Sequence, residues 1–225
     1  PVHGNAGGEE KNMATAQPGF FDVLIRPDEL LPGFKKKIDM NDAHKRYIIP
    51  SAIVGILLGL FLAFLGGVGA LIGGALEKTA IAGMLAGLGI VAIVIIPIIL
   101  VVLTLVGAYI SNGLTWIVAK LVGGTGTFEM NYFLNSRLYW PLLVANIVVQ
   151  FLTSIPVIGI ILNLAWVIYS IYLTVTVISH ANNISKGRAV GVIVLLFVLI
   201  FLLTIALVGA LIASLLAGMA AGSVA

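Results

Sequence analysis

The sequence predicts an all-α, polytopic membrane helical bundle of five transmembrane helices, with the N-terminus cytoplasmic and the C-terminus outside. Three observations predict it. From Tyr47 to Lys120 the chain is interrupted by charge only at Glu77 and Lys78, and two further apolar blocks follow, Leu138–Ser179 and Ala189–Ala225. Hydrophobic residues make up 60% of the 225 and charged residues only 9%, where a soluble domain carries roughly 25% charged residues. A water-soluble fold cannot use that much apolar sequence, because its helices need polar outer faces. The cations are also grouped on alternate connections, which sets the number of passes and their direction.

Residues 1–19 read as a lead that is polar at its start, either flexible or a non-native remnant ahead of a start at Met13. Residues 20–46 read as a cytoplasmic interfacial segment. Within it, Phe20–Ile25 is amphipathic enough to lie on a membrane surface, and Arg26–Pro32 interrupts it. Asp28 and Glu29 follow Pro27 as acidic residues follow a helix start. Asn41 or Asp42 is expected to cap the helix that runs through Lys45 and Arg46 into the first span.

Residues 47–225 form the membrane domain. A helix crossing a hydrocarbon core of roughly 30 Å needs about 20 apolar residues. The spans are placed at about 47–69, 81–119, 138–153, 156–179 and 189–216. Gly66–Lys78, rich in glycine, reads as an outer loop. The second stretch is long, and Pro97 could kink or break it, since proline removes a helical hydrogen bond. Ser154–Pro156 leaves room only for a tight turn, with Pro156 at the start of the fourth span.

Charge argues for one long second span. The N-terminal segment holds Lys11, Arg26, Lys35, Lys36, Lys37, Lys45 and Arg46; the first connection holds only Lys78. The second holds Lys120 and Arg137, and the fourth Lys186 and Arg188. Five passes from a cytoplasmic N-terminus put eleven of the twelve cations inside, as topology rules favour. Breaking the second span would put the later basic turns out of phase.

Lipid is as apolar as leucine, so helices in it associate through small residues. Gly55 and Gly59, Gly83 and Gly87, Gly107 and Ser111, Ala108 and Asn112, and Ala213, Ala217 and Ala221 all recur at a spacing of four. They favour a tightly packed bundle, and a homodimer face is a further use of them. No Asp, Glu, Lys or Arg lies mid-span, which argues against ion-coupled transport. The in-span amides Asn112, Asn146, Gln150 and Asn163 form a candidate buried polar cluster. Interhelical glue, a polar solute pathway and a lipid-headgroup site are its three readings. Lys35, Lys36, Lys37, Lys45 and Arg46 are candidate contacts to lipid headgroups or to a cytoplasmic protein partner.

Catalytic and cofactor chemistry find little footing. With no cysteine, disulfides and thiolate sites are excluded. No His-Glu-x-x-His motif occurs. An intramembrane hydrolase would need Ser111 or Ser170 brought to His180, and no flanking motif supports it. Gly123–Thr127 lacks the lysine and strand-to-helix context of a P-loop and reads as a turn. No catalytic residue, cofactor, metal site or nucleic-acid partner is expected; membrane lipids are.

The second half carries, in order, Lys120–Phe128, a basic-then-glycine loop; Tyr139-Trp140-Pro141-Leu142 opening the third span; Ile155–Gly159 opening the fourth, with Trp166 inside it; and His180 followed by Ser185–Ala189. In that order these motifs resemble the Yip1 family of membrane proteins. The resemblance covers about residues 108–203, and Phe20–Pro32 is similar to the family's pre-membrane region. The resemblance implies a membrane scaffold with no catalytic residues to carry over. Eukaryotic members are associated with Rab-type GTPases and vesicle traffic between endoplasmic reticulum and Golgi. This sequence has no Asp-Leu-Tyr-Gly-Pro-type motif, so GTPase binding is not carried over, and its compact form is more similar to prokaryotic members. The location implied is the cell membrane of a prokaryote, or the endoplasmic reticulum or Golgi of a eukaryote. The expected function is a non-enzymatic integral membrane scaffold or adaptor. The alternative is a channel or facilitator for a small polar or lipidic solute, lined by the amides.

Overall fold

The computed structural model describes residues 19–75, 79–155 and 158–222. All regular structure there is helical: α1 (Asp22–Ile25), α2 (Pro27–Phe34), α3 (Met40–Ala75), α4 (Thr79–Leu121), α5 (Phe128–Leu152), α6 (Ile158–Asn182) and α7 (Lys186–Gly222). Four helices are long and apolar enough to cross a membrane, over Met40–Ile72, Val91–Leu121, Ile158–Asn182 and Lys186–Leu215. The chain is an integral, multi-pass membrane protein.

The expected third span does not reach the same standard. Helix α5 has 25 residues, about 37 Å at ~1.5 Å per residue, so length is not its shortfall. Its first half carries Glu129, Asn131, Asn135 and Arg137. Glu129 is exposed in the first turn, and the other three are tolerated because that half is largely enclosed by protein. Asn131, Tyr132, Phe133, Leu134, Ser136 and Leu138 are all buried, and α5 packs against α1, α3, α4 and α6. A helix wrapped by other helices has no need of an apolar surface toward lipid.

The helix ends follow local chemistry. Asp39 caps α3: its Oδ1 accepts from the N–H of Asn41 at 2.9 Å and of Asp42 at 3.2 Å. The expected caps, Asn41 and Asp42, thus lie within the first turn, two and three residues past the cap, because Asp39 already takes the free N–H groups. The expected loop at Gly66–Lys78 is helical as far as Ala75, and residues 76–78 lie outside the described set. Glycine's weak helix preference is overridden where the backbone must satisfy its own hydrogen bonds. Helix α4 runs through Pro97 unbroken. Pro156 lies outside the described residues; beside it, the α5–α6 turn is tight, with the Gly159 N–H donating to the Ile155 carbonyl at 2.8 Å.

The longest seam joins α3 to α4, and glycine makes it. A Cβ on Gly55 would lie 2.4 Å from Pro97 Cα, and one on Gly59 would lie 2.8 Å from the Ala92 carbonyl oxygen. The Gly55/Gly59 pair therefore brings two helices of one chain together, as small-residue spacing allows. Gly87 and Gly107 meet nothing within 4 Å and are spare for other contacts. Gly83, Ala217 and Ala221 fall among positions whose side chains are not described.

The enclosed residues gather at one end. Val23, Leu31, Tyr47, Tyr132, Phe133, Leu138, Leu173 and Val177 belong to one cluster. Val118, Ala119, Ile178, Ala189 and Val192 belong to a second beside it. These positions bring together the starts of α3, α5 and α7 and the ends of α4 and α6. The described lysines and arginines from Arg26 to Arg46 and those of the two later basic turns cluster there too, making this the charged end of the molecule.

Candidate functional site

Two of the turns at the charged end share one solution. Helix α4 ends with Gly123 in the left-handed region (φ 88°), and α6 ends with Asn183 there (φ 54°). In each case the following N–H reaches back to the helix: Gly124 to the Ala119 carbonyl at 2.8 Å, Ile184 to the Ser179 carbonyl at 3.1 Å. That is the Schellman arrangement, for which glycine and asparagine are the suited residues. The glycine-rich loop then crosses α6 so closely that a Cβ on Gly126 would sit 2.0 Å from the Ala181 carbonyl oxygen. The Thr125 N–H donates to the Asn182 carbonyl at 2.9 Å. Gly123–Thr127 is thus a docking turn, and Thr127 caps α5 by accepting from the Met130 N–H at 3.2 Å.

Two amide pairs lie behind these turns. Asn131 and Asn182 exchange hydrogen bonds at 3.0 and 2.8 Å, and each donates another to its own helix or cap, at the Thr127 and Ile178 carbonyls. Asn112 accepts from Asn135 at 2.8 Å and donates to the Ala108 carbonyl at 2.7 Å. Ser51 adds a third link, within 3.0 Å of Thr104 Oγ1 and 3.1 Å of the Tyr139 hydroxyl, tying α3, α4 and α5 together. Such interhelical bonds contribute about 0.6–2 kcal/mol each in membranes. Losing one partner costs about 1–3 kcal/mol, because the other is left dry and unpaired.

Between α4, α5 and α6 the Asn112–Asn135 pair borders a cavity of about 610 Å³. Asn112, Asn135, Asn146, Ser111, Tyr139 and Trp166 are on its wall. Nothing on the wall carries a formal charge at neutral pH, so the cavity suits water or an uncharged polar group. The four-amide cluster expected from sequence does not assemble as one. Asn112 is buried. Asn146 is exposed but borders the same cavity. Gln150 and Asn163 are exposed and away from it. The reason is position along the helix: Asn131 and Asn135, four residues apart on one face, lie in the enclosed half of α5, whereas Asn146 and Gln150 lie beyond it.

The hydrolase geometry is also not assembled. Ser111 and Ser170 both reach the cavity wall, but Ser111 donates to the Ala108 carbonyl and His180 Nε2 faces Asp28 Oδ1 at 3.1 Å. Among the described residues, no group of His, Cys, Asp and Glu could hold a metal ion.

The charged end is closed by the N-terminal helices. Asp28 of α2 accepts from Lys186 Nζ at 2.6 Å and from the Tyr172 hydroxyl at 2.8 Å, besides facing His180. Lys186 lies over the Tyr172 ring at 5.1 Å, a cation–π contact. The Lys186 hydrogen bond is the largest influence on the Asp28 carboxyl and, with Tyr172 and His180, outweighs desolvation to bring its pKa down to about 2. The Tyr169 hydroxyl donates to the Leu24 carbonyl of α1. Sequence reasoning missed this cluster, since Asp28 and Lys186 stand 158 residues apart.

The basic candidates divide. Lys36, Lys37 and Lys45 are exposed. Lys35 donates to Asn183 Oδ1 at 2.8 Å, and its partial burial lowers its pKa. Arg46 and Arg137 share Asp42, both at 2.9 Å.

The family model for the Yip1 domain matches residues 21–208. That range takes in α1 through α6 and α7 as far as residue 208. No curated protein and no solved structure matches the chain.

Proposed function

This chain belongs to the Yip1 domain family, and on that premise we propose that it is a non-enzymatic membrane scaffold or adaptor that presents its charged end to the cytoplasm. The observation that carries the reading is the construction of that end. Two Schellman turns, two amide pairs and a docked N-terminal segment fix one surface, while the cavity beneath offers no ionisable group suited to driving transport.

Five passes are part of the proposal. Helix α6 qualifies as a span, and its C-terminal Asn182 meets Thr125 at the charged end. Helix α5 leaves that same end and is joined to α6 by a tight turn. If α6 crosses, α5 crosses with it. The later basic turns then share the face of the lysine triplet, as the cation distribution favours.

Purified protein in liposomes is expected neither to move solutes nor to turn over lipid. Robust flux of an ion or metabolite would overturn the scaffold reading. A facilitator is the second reading, favoured by one observation: Asn112 and Asn146 do border a common cavity. Dye-sized polar solutes crossing the wild type, but not a variant with Asn146→Trp filling the wall, would establish it instead.

A further inference from the structure

A second cavity, of about 400 Å³, lies at the charged end, where α1 and α2 meet α3 and α5. Its wall holds Arg46, Arg137, Phe20, Val23, Phe34 and Pro141, and no carboxylate is on it. We propose that this cavity binds the phosphate group of an anionic phospholipid.

The two guanidinium groups are positioned for it. Arg137 is held by two rings, with its Cζ 4.9 Å from the Phe34 centroid and 4.8 Å from the Phe133 centroid. Its Nη2 reaches Asp42 Oδ2, and Arg46 reaches the same oxygen through Nε. One carboxylate therefore serves two cations. Asp39, which also acts on Arg137, is engaged by N–H groups at the α3 cap. Arg137 Nε is buried and has no hydrogen-bond partner, a costly state for a charged group. Each guanidinium has five donors in a fixed fork, and the contacts to Asp42 use few of them. A phosphate, with several acceptor oxygens, matches paired forks through charge-assisted bonds.

The rest of the wall points to a lipid as the source of that phosphate. Phe20, Val23, Phe34 and Pro141 would be poor neighbours for a free, fully hydrated anion, but they suit a glycerol backbone and the first acyl carbons. The site is also at the right depth. Phe20 packs edge-on against Trp140 at 6.1 Å, and such aromatic residues sit at the headgroup level of a bilayer. Beyond Pro141 the surface of α5 is apolar and exposed at Ile147, Val148 and Phe151, a course along which an acyl chain can descend.

The test is native mass spectrometry and lipid titration on the full chain in nanodiscs. Phosphatidylcholine alone is compared with mixtures containing phosphatidylglycerol or phosphatidic acid. The wild type is expected to retain one anionic lipid, and Arg46→Gln, which keeps the Arg137–Asp42 pair, is expected to bind it at least tenfold more weakly. Lys36→Gln with Lys37→Gln is expected to change binding less than twofold. Should Arg46→Gln fail to fold by thermal unfolding, Arg46→Lys keeps the charge, loses the fork and is expected to weaken binding severalfold. Equal retention by wild type and the arginine variant overturns the site. So does equal retention of phosphatidylcholine, or an equal loss from the lysine variant, which would mean a diffuse cationic surface. Displacement of the lipid by low-millimolar glycerol 3-phosphate would overturn the lipid as the source of the phosphate.

Discussion

Tyr132, Phe133 and Leu134 at the charged end have no exposed surface, while Phe151, Ile160 and Leu207 toward the other end are 81%, 76% and 73% exposed. Both regions hold large apolar side chains, and those side chains differ in what surrounds them. At the far end the helices face lipid, where any apolar side chain serves and sequence carries little information. At the charged end, backbone turns, amides and the carboxylates of Asp28, Asp39 and Asp42 must each meet particular partners. A membrane protein built this way is expected to be sensitive to change at one end and tolerant at the other.

The sharpest way to break that contrast is Gly126→Ala. The added Cβ would be 2.0 Å from a backbone oxygen that cannot move without shifting α6. It is expected to destabilise the protein by about 3 kcal/mol or more, read from unfolding in detergent. A near-neutral result would mean that the loop does not lie against α6.

Next in size is the Asn131–Asn182 pair. Replacing either by leucine is expected to cost about 1–3 kcal/mol, because one amide stays buried and unpaired. The double replacement should cost less than the sum of the two. A double-mutant cycle reads this coupling directly, and strict additivity would remove the pair from the account.

Asp28→Asn comes third. The lowered carboxyl pKa means that the ionised form is favoured in the folded chain. Its stabilisation is present above the unfolded carboxylate range, near pH 4, and is lost as pH falls from there toward about 2. Because Asp28 is partly solvent-screened, the effect at neutral pH is expected to be at most about 1 kcal/mol. Stability measured from pH 6 to pH 3 should fall less in the variant than in the wild type. Parallel curves would mean that the cluster is not formed.

The smallest effect belongs to the far end. Gly209→Ala meets nothing within 4 Å and is expected to change stability by less than about 0.5 kcal/mol. A large loss there would mean that α7 has a partner beyond this chain.

The helices were easy to read from sequence, because apolar runs of that length have few other fates. The Gly55/Gly59 seam, Asn112 and the turn at Gly123–Thr127 were legible too. Helix α5 was harder: window hydropathy assumes lipid on every side, and half of α5 has protein instead. The Asn131/Asn135 spacing was a readable signal, hidden by placing the span boundary at Leu138. Asp28, Tyr172 and Lys186 carry no local signal at all. Their meeting depends on α2 folding back over the end of α6 and the start of α7, which only tertiary structure reveals.

The central claim is that both basic turns and the lysine triplet share one membrane face, with α5 and α6 crossing as a pair. The cysteine-free chain allows single cysteines to be placed at Lys36, Thr125, Gly187 and Ser154 and probed with an impermeant thiol reagent in oriented membranes. The account predicts labelling of Lys36→Cys, Thr125→Cys and Gly187→Cys from the cytoplasmic side only, and of Ser154→Cys from the opposite side only. Labelling of Ser154→Cys and Thr125→Cys from the same side would contradict it.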